Sequence, residues 1–376
     1  MLDRYLIILP KLRGSQEEEL EQCLRQLQGE RIEGHHLVKI NIFFDSPDYN
    51  SSEELRHRLE SIITGFFGNH CPAFNITAHP PQAPCKLSLE AGFVREGVFD
   101  FKSKSFDLHH YVTATCGPLK VLWASGFGNG LFPDDPDSAA EAAFDQMRRL
   151  LETEEMSFNN IVRQWNFIGE ITQITENGEN YHIFNKVRSR QYGKYRTVPG
   201  FPAATGIGMK FGGISLDCIA VITGDDHKVI PVNNPDQVKP YEYGRVVLKG
   251  VQVPQFERAV LFSGDKDSTL FISGTASILG QDTIGADDIE KQTIITIENI
   301  MKLVEASHHH NIDGSPLCDL SNLILLRVYV KRQSDFEKVK KICNSYFIGA
   351  PAVYIEADVC RENLLVEIEA EFSKQF

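Results

Sequence analysis

The side chains best suited to proton chemistry are two glutamates near the end of the sequence, Glu367 and Glu369 in LLVEIEAEF. Residues two apart on a strand share a face, so both can project toward one site. A carboxyl group in mostly apolar surroundings holds its proton to higher pH and can act as a general acid. A solvated strand face is the alternative reading for each. Other chemistry is thinly signalled. His308, His309 and His310 invite a metal, yet three consecutive histidines cannot all face one ion on a regular element, and EASHHHNIDGSP reads as an exposed loop. GFGNG (Gly126 to Gly130) and TGIGMKFGG (Thr205 to Gly213) are glycine-rich but lack the spacing of a dinucleotide or Walker loop, so tight turns and close backbone approach explain them. No GxSxG elbow or HExxH helix is present.

The elements that must carry these residues repeat along the chain. Each of three stretches offers a strand and a helix, a second strand and helix, then Pro-Ala opening a pair of strands. The front halves are YLIILP with SQEEELEQCLRQL, VLWASG with SAAEAAFDQMRRLLE, and LFISGTAS with DDIEKQTIITIENIMKLVE. The Pro-Ala anchors are Pro72-Ala73, Pro202-Ala203 and Pro351-Ala352, and each lies about 17 or 18 residues before an alanine of its closing strand, Ala91, Ala220 or Ala370. Order βαβαββ predicts an α+β fold of sheets with helices on one face. GVFDFKSKSFDLHHYVTAT and YGRVVLKGVQVPQFERAVLF read as strand pairs that begin the second and third units. The boundaries expected are 1–95, 96–225 and 226–376, the first unit being degenerate. Aligned on the closing strands, Glu367 corresponds to Asp217 and Ser88, so only one cleft between units keeps a glutamate with full reach.

Composition narrows the partners. With 38 basic and 51 acidic residues in 376, the formal charge of -13 disfavours nucleic acid and anionic membrane. Hydrophobic content of 42% with 24% charged residues is that of a globular protein. No apolar run reads as a signal peptide or spans a bilayer. Eight cysteines (Cys23, Cys71, Cys85, Cys116, Cys218, Cys318, Cys343 and Cys360) form no CxxC pair, which is expected of reduced thiols in a cytoplasmic protein.

The third stretch, from LFISGTAS through the helix with Gln292 and Asn299, DFEKVKKICNSYF, PAV and LLVEIEAEF, resembles the RidA (YjgF-type, endoribonuclease L-PSP-like) fold. That resemblance implies chorismate-mutase-like units, here three in one chain closed as a pseudo-trimer, either monomeric or weakly self-associating. From about residue 120 onward, VRQWNFIGEI, FPAATGIG, NNPDQVKPYEYG, VPQFERA, FISGTAS and ADVCRENLLVEIEA resemble the chorismatase family more closely. Its members cleave or hydrolyse the enolpyruvyl ether of chorismate, giving pyruvate with a dihydroxycyclohexadiene carboxylate or a hydroxybenzoate. The resemblance implies a small-molecule substrate, no metal and no organic cofactor, and makes Glu367 the proton-handling residue. Chorismate is a dianion, so an acidic chain must concentrate arginines to bind it. The candidates are Arg163 and Arg327, at equivalent strand positions, and Arg258; Trp165, Tyr241 and Tyr243 could pack on the ring or donate to its hydroxyl. Surface ion pairs and ordinary core aromatics are the competing readings. In the family, Cys360 points to the hydroxybenzoate branch and Ala276 to the hydrolytic one. RidA imine deaminases carry an arginine directly after Pro-Ala; here those positions are Phe74, Ala204 and Val353, which weakens the deaminase alternative. A non-catalytic binder of aromatic or keto acids is the other alternative.

Overall fold

The computed structural model describes residues 1–30, 32–244, 252–264, 267–310 and 319–375. The first sheet uses β1 (Arg4–Ile8), β2 (His35–Phe44), β3 (Ala73–Thr77) and β4 (Leu87–Arg95), with helices α1 (Gln16–Gly29) and α2 (Tyr49–Phe67). Then follow β5 (Asp100–Phe106), β6 (His109–Cys116), β7 (Leu119–Phe127), α3 (Pro136–Thr153), β8 (Ile161–Gly169), the hairpin β9 (Ile174–Thr175) and β10 (Gly178–Glu179), α4 (Asn180–Tyr195), β11 (Ala203–Met209) and β12 (Ile214–Ile222). The last third holds β13 (His227–Val232), β14 (Ala259–Gly264), β15 (Asp267–Ala276), the hairpin β16 (Ile278–Leu279) and β17 (Asp282–Thr283), and α5 (Ile289–Ser307). It ends with β18 (Leu323–Val330), α6 (Phe336–Tyr346), β19 (Ala352–Glu356), β20 (Asp358–Val359) and β21 (Val366–Gln375).

The fold is mixed α+β, and its three larger sheets share one internal order. The first runs β1-β4-β2-β3, the second contains β7-β12-β8-β11, and the third contains β15-β21-β18-β19. In each, the last pair is parallel and the other two are antiparallel. Local sequence explains the elements. Ser15 and Glu18 close a capping box on α1, Asp48, Asp135 and Asp288 cap α2, α3 and α5, and Pro136 opens α3. Apolar residues at helical spacing then bury one stripe against a sheet. On α5 that stripe includes Ile297, Ile300 and Leu303, each worth about 1.5–3 kcal/mol when fully buried. Pairs α1/α2, α3/α4 and α5/α6 thus cover one face of each sheet, while the opposite faces meet in a shared core containing Tyr5, Phe43, Trp165, Phe167, Tyr329 and Ile355.

Two details differ from expectation. β14 pairs antiparallel with β13, the HKVIPV stretch, and with β15; the strand expected at YGRVVL falls largely on residues 245–248, which lie outside the described residues. Residues 252–256 form no strand, because Pro254 interrupts the alternation there. The second sheet also acquires a strand from far along the sequence, β20, which pairs Val359 and Asp358 with Ile207 and Gly208 of β11. This pairing carries Cys360 and Arg361 to the junction between the second and third sheets. The GFGNG run is a turn, with positive φ at Gly126, Gly128 and Gly130. His308–His310 form a short 3-10 turn. Seven cysteines are free among the described residues, and Cys318 lies outside them. No helix among the described residues is long and apolar enough to cross a membrane.

Candidate active site

Where β11 of the second sheet faces β15 of the third, a cleft of about 1000 Å³ opens. Its walls come from the start of α4 (Tyr181, His182), β11 (Ala204, Gly206), β15 (Gly274, Ala276), the 254–258 segment, the turn after β20 and β21. Glu367 reaches this cleft from β21 and is only 4% exposed. Space for its carboxyl exists because residue 274 is glycine: a Cβ there would stand 2.0 Å from Glu367 Oε1. Ala276 is the cross-strand neighbour of Glu367 and keeps the wall shallow with its small side chain. Among the described residues no hydrogen bond reaches the Glu367 carboxyl. Burial pushes its pKa up to about 8, with the cations of Arg163 and Arg258 pulling the other way. The group is therefore mostly protonated at neutral pH.

Cations stand beside it. Arg258, buried at the end of the 254–258 segment, donates to the Tyr243 hydroxyl and, at 3.0 Å, to the Val238 carbonyl. Its Nε completes no hydrogen bond among the described residues, and no carboxylate there pairs with it. Arg361 donates to the Gln281 carbonyl at 3.0 Å, and the guanidinium groups of Arg258 and Arg361 each lie 5.7 Å from the Tyr243 ring. Two arginines packed near one aromatic ring suit a planar carboxylate. Cys360 also lines the cleft, and burial pushes its thiol up to about 12, so it remains the unreactive thiol rather than a thiolate.

The structure brings Glu367, Arg258, Tyr243, Ala276 and Cys360 to one cleft. It corrects the placement of four other residues. Arg163, Arg327 and Trp165 do not line the cleft, because they point into the shared core, where carboxylates hold them. Arg163 donates to Glu369 at 2.5 Å, Trp165 Nε1 to the same carboxylate at 2.9 Å, and Arg327 bonds Glu90 at 2.8 and 2.5 Å while also pairing with Glu369. Tyr241 turns away as well: its hydroxyl donates to Glu257 at 3.2 Å and its ring packs 5.2 Å from Phe201. Glu369 belongs to the core network and is 2% exposed, so it is no solvated strand residue. Thr205 links core to cleft by bonding to Glu369 and accepting the Gly274 N–H at 3.1 Å. Arg361, Tyr181 and the enabling Gly274 were not singled out by sequence reasoning. Arg361 adjoins Cys360 in ADVCRE and Gly274 sits within FISGTAS, so both were inside the motifs already noted.

The corresponding junction between the first and second sheets is nearly closed, with a cavity of about 30 Å³. Asp217, in the strand register of Glu367, is consumed there by Lys39 at 2.8 Å, Asn75 at 2.7 Å and the Gly126 N–H at 2.9 Å. Among the described residues no group of three or more His, Cys, Asp and Glu side chains could hold a metal ion.

A proton-rich glutamate facing arginines across an open cleft, on an α+β scaffold, defines a candidate acid catalyst for a small carboxylate substrate. Comparison with known proteins makes the class specific. Residues 127–220 match the family model described as Chorismatase FkbO/Hyg5-like, N-terminal. A 3-hydroxybenzoate synthase of Streptomyces hygroscopicus is 38% identical over 241 residues, covering 61% of this chain and 68% of that protein. A chorismatase of the same organism is 31% identical over 58% of this chain and 62% of its own length. A solved chorismatase structure covers 99% of both chains with a TM-score of 0.68 at 19% identity, which shows a common fold. The chain belongs to the chorismatase family.

Proposed function

We propose that the protein cleaves the enolpyruvyl ether of chorismate by general acid catalysis, with Glu367 as the acid. The observation carrying this reading is a buried carboxyl group, 4% exposed and with its pKa pushed up by that burial, on the wall of a cleft that also holds Arg258 and Arg361. Glu367 gives its proton to the terminal methylene carbon of the enol ether, generating an oxocarbenium ion at the ether carbon. If water captures that ion, the hemiketal collapses to pyruvate and a dihydroxycyclohexadiene carboxylate. If the substrate's own hydroxyl captures it, a cyclic ketal forms. Loss of a ring proton with breakage of the ring-carbon bond to that hydroxyl oxygen then gives an aromatic hemiketal, whose collapse breaks the remaining bond from the pyruvyl carbon to the phenolic oxygen and releases hydroxybenzoate and pyruvate. In either case the Glu367 carboxylate recovers a proton from the reacting hydroxyl or ring. The arginines hold carboxylate, with Arg258 fixed by the Tyr243 hydroxyl and Arg361 by the Gln281 carbonyl.

Two features favour the hydroxybenzoate branch: Cys360 on the cleft wall, and 38% identity to a 3-hydroxybenzoate synthase. Ala276 fits the hydrolytic branch equally well. The repeated sheet order further supports three RidA-like units, 1–95, 96–225 and 226–376, arranged as a pseudo-trimer in which one inter-unit cleft retains chemistry. Purified protein incubated with chorismate, with pyruvate followed through lactate dehydrogenase and the aromatic product weighed by mass spectrometry, tests the activity and its branch. Retention of chorismate without pyruvate would replace catalysis by binding.

A further inference from the structure

Helix α4 contributes to the cleft a group that the proton-transfer scheme does not use. Tyr181 sits in its first turn, lines the cleft and is 8% exposed. Its ring lies over Gly206 of β11, where an added Cβ would meet Tyr181 Cε2 at 3.3 Å. The phenol lies within electrostatic reach of Cys360 and Glu367 on the cleft side, and of Arg188 and Asn185 on the helix side. Arg188 is the unusual member of this set. It is 2% exposed, and among the described residues no carboxylate pairs with it. Its Nη2 donates to Asn185 Oδ1 at 2.5 Å and its guanidinium lies 5.4 Å from the Phe184 ring. Arg188 Nε and Asn185 Nδ2 complete no hydrogen bond among the described residues. A buried cation without a counter-ion is costly. The Tyr181 and Tyr192 phenols both stand within its reach, and because the Tyr192 hydroxyl already donates to Gln164 at 2.7 Å, it is the Tyr181 hydroxyl that can donate to a ligand anion with the charge behind it.

We propose that the Tyr181 hydroxyl, backed by the buried guanidinium of Arg188, forms a second carboxylate-binding subsite of the cleft, on a different wall from Arg258. Tyr181 touches the ligand; Arg188 is a positioning residue that acts through it. The inference rests on the chorismate reading only in supplying a ligand with two carboxylates, one for each subsite. That arrangement would fix the substrate end to end, with Glu367 near the Tyr181 subsite.

The test is calorimetric titration of wild type and variants with pyruvate and with benzoate, monocarboxylates that need no turnover, and of Glu367→Gln backgrounds with chorismate. Tyr181→Phe keeps the ring over Gly206 and removes only the donor. It should weaken binding of chorismate and of at least one monocarboxylate by about 10-fold, the scale of a lost hydrogen bond to a charged acceptor. Arg188→Met should weaken it comparably and Arg188→Lys less, a rescue that a purely structural role does not produce. If Arg188→Met fails to fold, Tyr181→Phe alone decides. Unchanged affinity in Tyr181→Phe, or no monocarboxylate binding by wild type, overturns the proposal. Absence of pyruvate release from chorismate, with the monocarboxylate losses intact, overturns the chorismate reading and leaves the subsite standing.

Discussion

Glycine at position 274 is the least conspicuous requirement of the site, and Gly274→Ala tests it. The added Cβ would lie 2.0 Å from Glu367 Oε1, 2.9 Å from its Cδ and 3.1 Å from Thr205 Cγ2. Ordinary carbon contacts are about 3.5 Å, so the carboxyl must retreat by roughly 1.5 Å. Because the obstructing atoms are the end of a flexible side chain, the fold can absorb this by an off-rotamer Glu367, costing about 1 kcal/mol. Catalysis cannot, since a misplacement of about 1 Å can cost on the order of 100-fold. We expect kcat/KM for chorismate to fall by about 100-fold, equivalent to about 2.7 kcal/mol of transition-state stabilisation, with only a slightly lowered urea midpoint. In a Glu367→Ala background the same substitution should cost almost nothing further, because the two changes act through one group. An unimpaired Gly274→Ala enzyme, or equal losses in both backgrounds, would refute the steric argument.

Three further outcomes follow from the geometry. With Glu367 as proton donor and its pKa near 8, kcat should be level at lower pH and fall as pH rises through about 8; a rate that climbs through that range would make the carboxylate, not the acid, the working form. The folded carboxyl keeps its proton to about pH 8 whereas an unfolded one, with its ordinary value of 4.5, loses it earlier, so this group lowers stability as pH rises across that window. Urea titrations at pH 6 and 8.5 should therefore show a flatter pH dependence in Glu367→Gln. Arg327→Met strips a shared cation from the buried Glu90 and Glu369 carboxylates and should cost about 3–5 kcal/mol in denaturant unfolding; a loss below about 1 kcal/mol would mean the network is not held by this charge.

Much of the scaffold is legible in the sequence because its signals are local. Helical spacing in SAAEAAFDQMRRLLE, caps such as Ser15 and the Pro-Ala anchors specify elements without knowledge of their neighbours. What alternation cannot reveal is the destination of a face. Glu367, Glu369 and Glu371 share one side of β21, yet the first reaches the cleft, the second receives Arg163 and Arg327, and the third accepts the Tyr5 hydroxyl at 2.9 Å. Some of the deciding partners are far away in the chain, Arg163 by 206 residues from Glu369 and Tyr5 by 366 residues from Glu371. The same limit misplaced Arg163, Arg327 and Trp165. In an acidic protein an arginine motif suggests an anionic ligand, but here the anions are the protein's own. Arg361 escaped notice because β20 reaches its place by joining a sheet built mainly from residues 100–222.

The central claim is that Glu367 donates the proton that breaks the enolpyruvyl ether. Its most direct test is the rate of pyruvate release from chorismate by wild type and by Glu367→Gln, compared at pH 7 with both proteins shown to be folded. Wild type should release one pyruvate per chorismate consumed, and the variant should be slower by about 100- to 10,000-fold, the span of a lost general acid. Equal rates in the two proteins would contradict the assignment, and failure of wild type to release pyruvate would contradict the proposed reaction itself.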